Sequence, residues 1–247
     1  MPDLPVHLVI GASGAVGSAA VRRLAAAGAT LVVAGRDADA LDRLAAETGA
    51  TPAVVDARDI AAVGALVDDV VEAHGRIDGV ANLAGSVLLK PAHLTSEQEW
   101  HDTIATNLTS AFAVVRAAAP AMRGGGSIVL ASSAAAQTGI ANHEAIAAAK
   151  GGVISLVRSA AATYGPRGVR VNAVAPGLVA AKMTQRLVSN ATQAEVSRQM
   201  HVLGRLGEGD DVAAAVAWLL GPDTSWMTGQ VIGVDGGLGQ VRTRSRA

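Results

Sequence analysis

A chain of 247 residues with half its positions hydrophobic is long enough to bury the core of one α/β domain. A net charge of −1 with no basic block gives no electrostatic sign of nucleic acid or of an anionic membrane surface. The absence of cysteine excludes a disulfide framework, a thiol nucleophile and a cysteine metal site.

Short β-branched runs alternate with longer alanine-rich stretches, the pattern of a parallel sheet covered by helices on both faces. The opening, MPDLPVHLVIGASG, lacks a basic leader region and runs straight into a strand, VHLVI from Val6. Gly11, Gly14 and Gly17 then lead from that strand into a helix over 15–27. Glycines there permit a tight turn and let backbone N–H groups approach a pyrophosphate at a helix N-terminus. An ordinary strand-to-helix turn has similar needs, but the place directly after an N-terminal strand favours a nucleotide. The next strand, TLVVA from Thr30, ends at Gly35 and Arg36, where the adenosine ribose of a dinucleotide would lie. An acid there takes the 2′-hydroxyl of NAD, whereas an arginine suits a 2′-phosphate, so NADP(H) is favoured over NAD(H). The plainer reading of Arg36 is a solvated helix-start residue.

A helix over 38–47 carries an Asp cap, a Leu41/Leu44 stripe and a closing Gly49. The strand TPAVVD from Thr51 ends on Asp56, either an acceptor for an adenine amino group or the N-cap of the helix over 59–73. Strand GVAN from Gly79 precedes NLAG and a long helix expected over 96–122. Strand SIVLA from Ser127 leads to Ser133, and a helix over 144–164 carries Lys150. After VRVNAVA from Val169, the weakly patterned segment 178–206 sits where a mobile substrate lid is expected. A helix over 210–220 and the strand QVIGVD from Gln230 complete the series, and the tail VRTRSRA reads as a frayed end. No run approaches the ~18 uninterrupted apolar residues of a membrane span. The expectation is a soluble, cytoplasmic chain forming one doubly wound Rossmann domain over 1–247.

In this order the motifs resemble those of the short-chain dehydrogenase/reductase family over nearly the whole chain. GASGAVG stands for its glycine motif, Asp56 for its adenine-contact acid and NLAG for its Asn-Asn-Ala-Gly turn. TNLTS carries Asn107, VLASS carries Ser133, and Lys150 follows seventeen residues later; VRVNAVAPG and GQVIGVDGG close the match. The resemblance implies a nicotinamide cofactor along the first turn (Gly11, Ser13, Gly14, Ala15, Val16, Gly17), with Arg36, Asp56 and Ala57 at the adenosine end. Asn82, Ala84, Gly85 and Lys150 would meet its other half, with Pro176, Gly177 and Val179. It implies Ser133 as carbonyl polariser, Lys150 as ribose clamp and Asn107 as holder of a water that joins the lysine to solvent. It also implies a small-molecule substrate and a homodimer or homotetramer packed through the helices over 96–122 and 144–164. The hydrophobic character of 86–89, of the 134–143 loop and of the lid suggests an apolar-bodied substrate. His7, His74, His93, His101 and His201 share no metal-ligand spacing, so no metal is expected.

Four positions depart from the family pattern. Ala15 replaces the second glycine, Leu83 the second Asn of the turn, and Ala181 a Thr that holds the nicotinamide carboxamide, leaving that task to Thr184 or to backbone. The fourth is Ile146, four residues before Lys150, where the family has its proton-donating tyrosine. The chain's single tyrosine, Tyr164, lies fourteen residues beyond Lys150, roughly 21 Å along a helix, and cannot stand in. His143 lies at i, with Ile146 at i+3 and Lys150 at i+7, and imidazole can give a proton near neutrality. A water relayed through Lys150 and Asn107 is the other source; the plain role for His143 is a helix-start residue bonding backbone, and for Glu144 a first-turn acid. Three functions stay open, in this order: an NADP(H)-dependent oxidoreductase with a surrogate proton donor, a catalytically silent partner subunit, and a redox-neutral enzyme.

Overall fold

The computed structural model describes residues 4–242, so residues 243–247 of the basic tail lie outside the described residues. The strands are β1 (Val6–Ile10), β2 (Thr30–Gly35), β3 (Thr51–Val54), β4 (Gly79–Asn82), β5 (Gly126–Ala131), β6 (Val169–Pro176) and β7 (Val231–Val234). They form one sheet in the order β3-β2-β1-β4-β5-β6-β7, with every neighbouring pair parallel. This is the doubly wound α/β sheet expected from the alternating pattern. The strand order reverses between β1 and β4, which opens a crevice at their C-terminal ends. Pro52 lies in β3, an edge strand, where a missing N–H costs no ladder bond on the open side.

Successive residues of the central strands feed opposite cores, so both faces of the middle of the sheet are buried. Leu8 and Ile10 join Val63 and Val67 of α3 (Ile60–His74) and Val153 and Val157 of α6 (Glu144–Tyr164). Val9 joins Val21 of α1 (Ala15–Ala26), Leu41 and Leu44 of α2 (Ala38–Thr48) and Val216 of α9 (Gly209–Leu220). Asp37 caps α2 by accepting from Ala40 N at 3.1 Å, and Gly49 closes it at φ 74°. The stretch Glu144–Arg167 is by length and composition long and apolar enough to cross a membrane. Here it lies along the sheet, and Tyr164 at the end of α6 packs against the core.

The helix expected over 96–122 is interrupted. It comprises α4 (Glu97–Ile104), a π turn over Ala105–Thr109 and α5 (Ser110–Ala121). The wide turn is held by side chains bonding backbone one turn back: Asn107 Nδ2 to Thr103 O at 2.9 Å and Ser110 Oγ to Thr106 O at 2.7 Å. The segment 178–206 holds two helices that weak patterning had hidden, α7 (Gln185–Ser189) and α8 (Ala191–Met200). Ala194 is the one described residue of α8 that is buried.

His7 lies on β1 beside Gly79 of β4, where a Cβ at residue 79 would sit 2.8 Å from its Cε1. Burial holds its imidazole at about 4, against the opposing pull of Asp78. The folded state therefore keeps His7 neutral while the unfolded chain takes a proton below about 6.5. This contribution to stability is intact above that pH and is lost as pH falls towards 4. Urea unfolding at pH 7 and pH 5 is expected to show about 2 kcal/mol of loss from this group. His7→Val should lose that much less over the same interval, and equal losses in both proteins would refute the assignment.

Candidate active site

The first turn is built so tightly that glycine is required at two positions. Gly11 has φ 80°, and a Cβ on it would lie 2.5 Å from Ala84 N and 2.7 Å from Leu83 C, where the exits of β1 and β4 cross. A Cβ on Gly17 would run into Gly11 O and come within 2.8 Å of Ala12 Cα, so α1 rests directly on the turn. Gly14 is the N-cap of α1 and supplies no side-chain cap, which leaves the first N–H groups of α1 available to an anion at the crevice.

Two cavities flank this turn and share Gly11, Gly14, Ala84, Gly85 and Met183 among their walls. One, of about 260 Å³, is lined by Ser13, Arg36, Asp56, Ala57 and Arg58. The other, of about 180 Å³, is lined by Ser86, Asn107, Ser133, Ile146 and Lys150. Ala15, Val16, Gly17, Pro176, Gly177 and Val179 belong to this second cavity too. A dinucleotide held by this pair would meet Arg36 with its adenosine, the turn with its pyrophosphate, and Ser133 and Lys150 with its nicotinamide half. Asn82 lines neither cavity. It is buried, donates from Nδ2 to Ser110 Oγ at 3.2 Å and accepts from Ala84 N at 3.2 Å, so it positions the β4 exit.

Asp56 is not the cap of α3, because Asp59 takes Ala61 N and Ala62 N at 2.9 and 3.0 Å. Its carboxylate is already occupied by Arg58, with Nη2 at 2.6 Å, Nε at 3.0 Å and the backbone N–H at 3.0 Å. Those bonds, with Arg36 nearby, hold its carboxyl down at about 2. An adenine amino group reaching Asp56 must share or displace Arg58.

Around the smaller cavity the polar groups converge. Lys150 Nζ donates to Ala131 O at 2.8 Å, and burial alone pulls the amine down to about 8. Ser132 Oγ pins the same helix turn by donating to Lys150 O at 3.0 Å. Ser133 Oγ accepts from Ala135 N at 3.1 Å, which leaves its own proton for a ligand. Asn107 Oδ1 accepts from Ser86 N at 3.1 Å, and its Nδ2 donates to Ser86 Oγ at 2.9 Å. Ile146, one turn before Lys150, is buried and forms an apolar part of the wall. Ala181 and Thr184 also line the cavity, yet Thr184 Oγ1 is held by Val179 O at 2.6 Å and Ala181 N at 3.0 Å, so its proton is engaged.

His143 is not part of this wall. It is the N-cap of α6 at φ −112° and ψ 14°, and its Nδ1 lies 2.8 Å from Ala141 O. The i, i+3, i+7 spacing presumes a helix, and the helix begins one residue later. His201, at the end of α8, is buried and takes Leu178 N–H on Nε2 at 3.1 Å while Nδ1 donates to Ser197 O at 2.6 Å. The base of the 178–206 segment is closed by Ala180 N to Gly207 O at 2.9 Å and Gly207 N to Leu178 O at 2.9 Å. Among the described residues no cluster of three His, Cys, Asp or Glu could hold a metal. Three residues of the site escaped the sequence reading in the roles they hold: Arg58 on Asp56, Ser86 on Asn107, and Met183 in both walls.

The family model described as enoyl-(acyl carrier protein) reductase matches residues 11–239. The 3-oxoacyl-[acyl-carrier-protein] reductase FabG of Thermotoga maritima is 36% identical over 242 residues, covering 94% of this chain and 97% of its own. A protein of Xanthobacter autotrophicus named inactive 2-(S)-hydroxypropyl-CoM dehydrogenase 2 is 36% identical over 220 residues, covering 86% of this chain and 96% of its own. Among solved structures, an actinorhodin polyketide ketoreductase with NADPH superposes at a TM-score of 0.89 with 29% identity, covering 98% of this chain and 99% of the other. The chain belongs to the short-chain dehydrogenase/reductase family, whose members bind a nicotinamide cofactor and act as oxidoreductases on small molecules.

Proposed function

We propose that the protein is an NADP(H)-dependent reductase of a small, mostly apolar carbonyl compound, working with Ile146 where its family has a tyrosine. The observation that carries this reading is one cavity that gathers Ser133 and Lys150, each with protons to donate, beside Asn107. When bound, the cofactor supplies the C4 hydride; the residues of this chain orient the partners and handle the proton. Gly11 and Gly17 keep the turn open for the pyrophosphate, and Lys150 lies on the ribose side. Ser133 donates to the substrate oxygen and raises the electrophilicity of its carbon. Ile146, Val87 and Met183 make the pocket apolar, which fits a substrate with a hydrocarbon body. The proton comes through Lys150 and a water beside Asn107 rather than from His143, whose ring is tied to the Ala141 carbonyl. The segment 178–206 would serve as the lid, hinged at its closed base, and the whole chain would act as one domain. Exposed Trp100 and Phe112 on α4 and α5 fit burial between copies in a homodimer or homotetramer.

The test is single-turnover reduction of a panel of ketones and aldehydes with 4-pro-S deuterated NADPH, reading deuterium in the product by mass. Transfer by the wild type and by His143→Ala supports the reading; no transfer from the wild type to any substrate sinks it. The catalytically silent alternative is favoured by Ile146 and by a relative that carries "inactive" in its name. Its signature would be tight NADPH binding without transfer.

Cofactor choice has its own check. Arg36 lines the adenosine cavity behind Gly35, whose missing side chain leaves the space beside Ser13 open. Arg36→Ala is expected to weaken NADPH binding about 10- to 100-fold in calorimetry, the scale of one charge-assisted phosphate contact, and to leave NADH nearly unchanged. Equal losses for both nucleotides would remove Arg36 from the 2′-phosphate site.

A further inference from the structure

We propose that Ser86 is a catalytic residue of this site: its hydroxyl hands the proton to the substrate oxygen and is refilled from Lys150 through water. The inference rests on the reductase reading and names the last group on its proton route, between the Lys150-fed water and the substrate oxygen. Ser86 lines the same cavity as Ser133, Ile146 and Lys150, on the wall supplied by the β4 exit. Asn107 fixes it from two directions, accepting from its backbone N–H at 3.1 Å and donating to its Oγ at 2.9 Å. Because Oγ serves there as acceptor, its own proton is left to point elsewhere. Asn107 cannot turn its amide round to take that proton, since its other Nδ2 hydrogen is held by Thr103 O at 2.9 Å.

The refilling route is equally local. Gly85, the preceding residue, sits between Asn107 and Lys150: a Cβ there would be 3.2 Å from Asn107 Oδ1 and 3.6 Å from Lys150 Nζ. Gly85 itself puts no side chain between the lysine and Asn107. Of the three hydrogens on Lys150 Nζ, one is held by Ala131 O, and the others are available to a water. Ser133 Oγ likewise accepts from a neighbour's N–H and keeps its proton, but its part is to polarise the carbonyl; Ser86 is the hydroxyl on the Asn107 side of the lysine, where the refilling water would sit.

The balance is simple. As hydride reaches the carbonyl carbon, the C=O π pair moves to oxygen, the Ser86 O–H bond breaks and the substrate O–H bond forms. The Ser86 alkoxide takes a proton from a water, the water from the Lys150 ammonium, and the lysine from solvent. In the alcohol-to-ketone direction each transfer reverses.

The experiment uses the full-length protein, the deuterated NADPH assay and a substrate that the wild type reduces. Ser86→Ala is expected to lower kcat about 100-fold with KM little changed, the scale of one general-acid contribution. NADPH affinity by fluorescence titration should stay within twofold of wild type. Loss of the Lys150 proton should make the wild-type rate fall at alkaline pH, and that fall should flatten in Ser86→Ala. Ser86→Thr, which keeps the hydroxyl, should restore most of the rate and the decline together. A Ser86→Ala protein with wild-type kcat and an unchanged pH profile overturns the proposal while leaving the reductase reading in place. A wild type that transfers no deuterium removes the reductase reading, and this proposal with it.

Discussion

Ile146→Tyr is expected to raise the rate of carbonyl reduction by about 10- to 100-fold, because a phenol is a far stronger acid than the Ser86 hydroxyl it would relieve as proton donor. Position 146 is already helical, buried and part of the cavity wall one turn before Lys150, so a phenol there points where Ile146 now points. Isoleucine and tyrosine differ little in helix propensity, and α6 should keep its path. The ammonium of Lys150 nearby would favour the phenolate and draw the phenol towards a useful pKa. Extra volume in a cavity of about 180 Å³ should cost about 1–3 kcal/mol of stability, visible as a modest fall in Tm. The measurement is kcat in the deuterium-transfer assay beside thermal unfolding of both proteins. A folded Ile146→Tyr protein with an unchanged rate would mean that the phenol does not reach the substrate oxygen and that Ser86 keeps the donor's part. An active variant against a silent wild type would mean that the isoleucine has switched the chemistry off.

What the sequence made legible was whatever depends on a short-range steric or periodic rule. Gly11, Gly14 and Gly17 announced a tight turn from strand to helix, where Cβ atoms on Gly11 and Gly17 would run into backbone, and continuous apolar runs announced strands buried on both faces. The turn that aims Asn107 was hidden, because the apolar spacing over 96–122 runs on while side-chain bonds to Thr103 O and Thr106 O widen the helix locally. Arg58 was hidden because its grip on Asp56 spans two residues in a loop, where no period applies. His143 misled in the opposite sense: a helical stripe was extended one residue past the point where the helix starts. Ser86 could have been found by asking which hydroxyl follows the glycine at the β4 exit. Its bond with Asn107 is a contact across twenty-one residues that only the fold reveals.

Lys150→Met should abolish turnover and stabilise the protein in one step. The variant would lose both roles proposed for Lys150, proton relay and ribose clamp, so kcat/KM should fall about 1,000-fold or more. Yet the wild-type fold carries a cost at this position. The buried amine titrates at about 8, against an ordinary value near 10.5, so holding it charged at pH 7 opposes folding by roughly 3 kcal/mol. That penalty is complete below pH 8 and is relieved as pH rises from 8 towards 10.5, where the folded protein has shed a proton that the unfolded chain still holds. Methionine removes the charge but leaves Ala131 O without its donor, which returns about 1 kcal/mol, so the net gain near neutrality should be roughly 2 kcal/mol. Wild-type stability should accordingly climb between pH 8 and pH 10 by more than that of Lys150→Met, while wild-type kcat/KM for reduction declines over the same interval. Those opposite trends come from one proton. Parallel pH–stability curves for the two proteins would show that Lys150 keeps an ordinary pKa and would leave the alkaline decline to another group. A residue whose removal both stabilises the fold and ends the chemistry is held there by function.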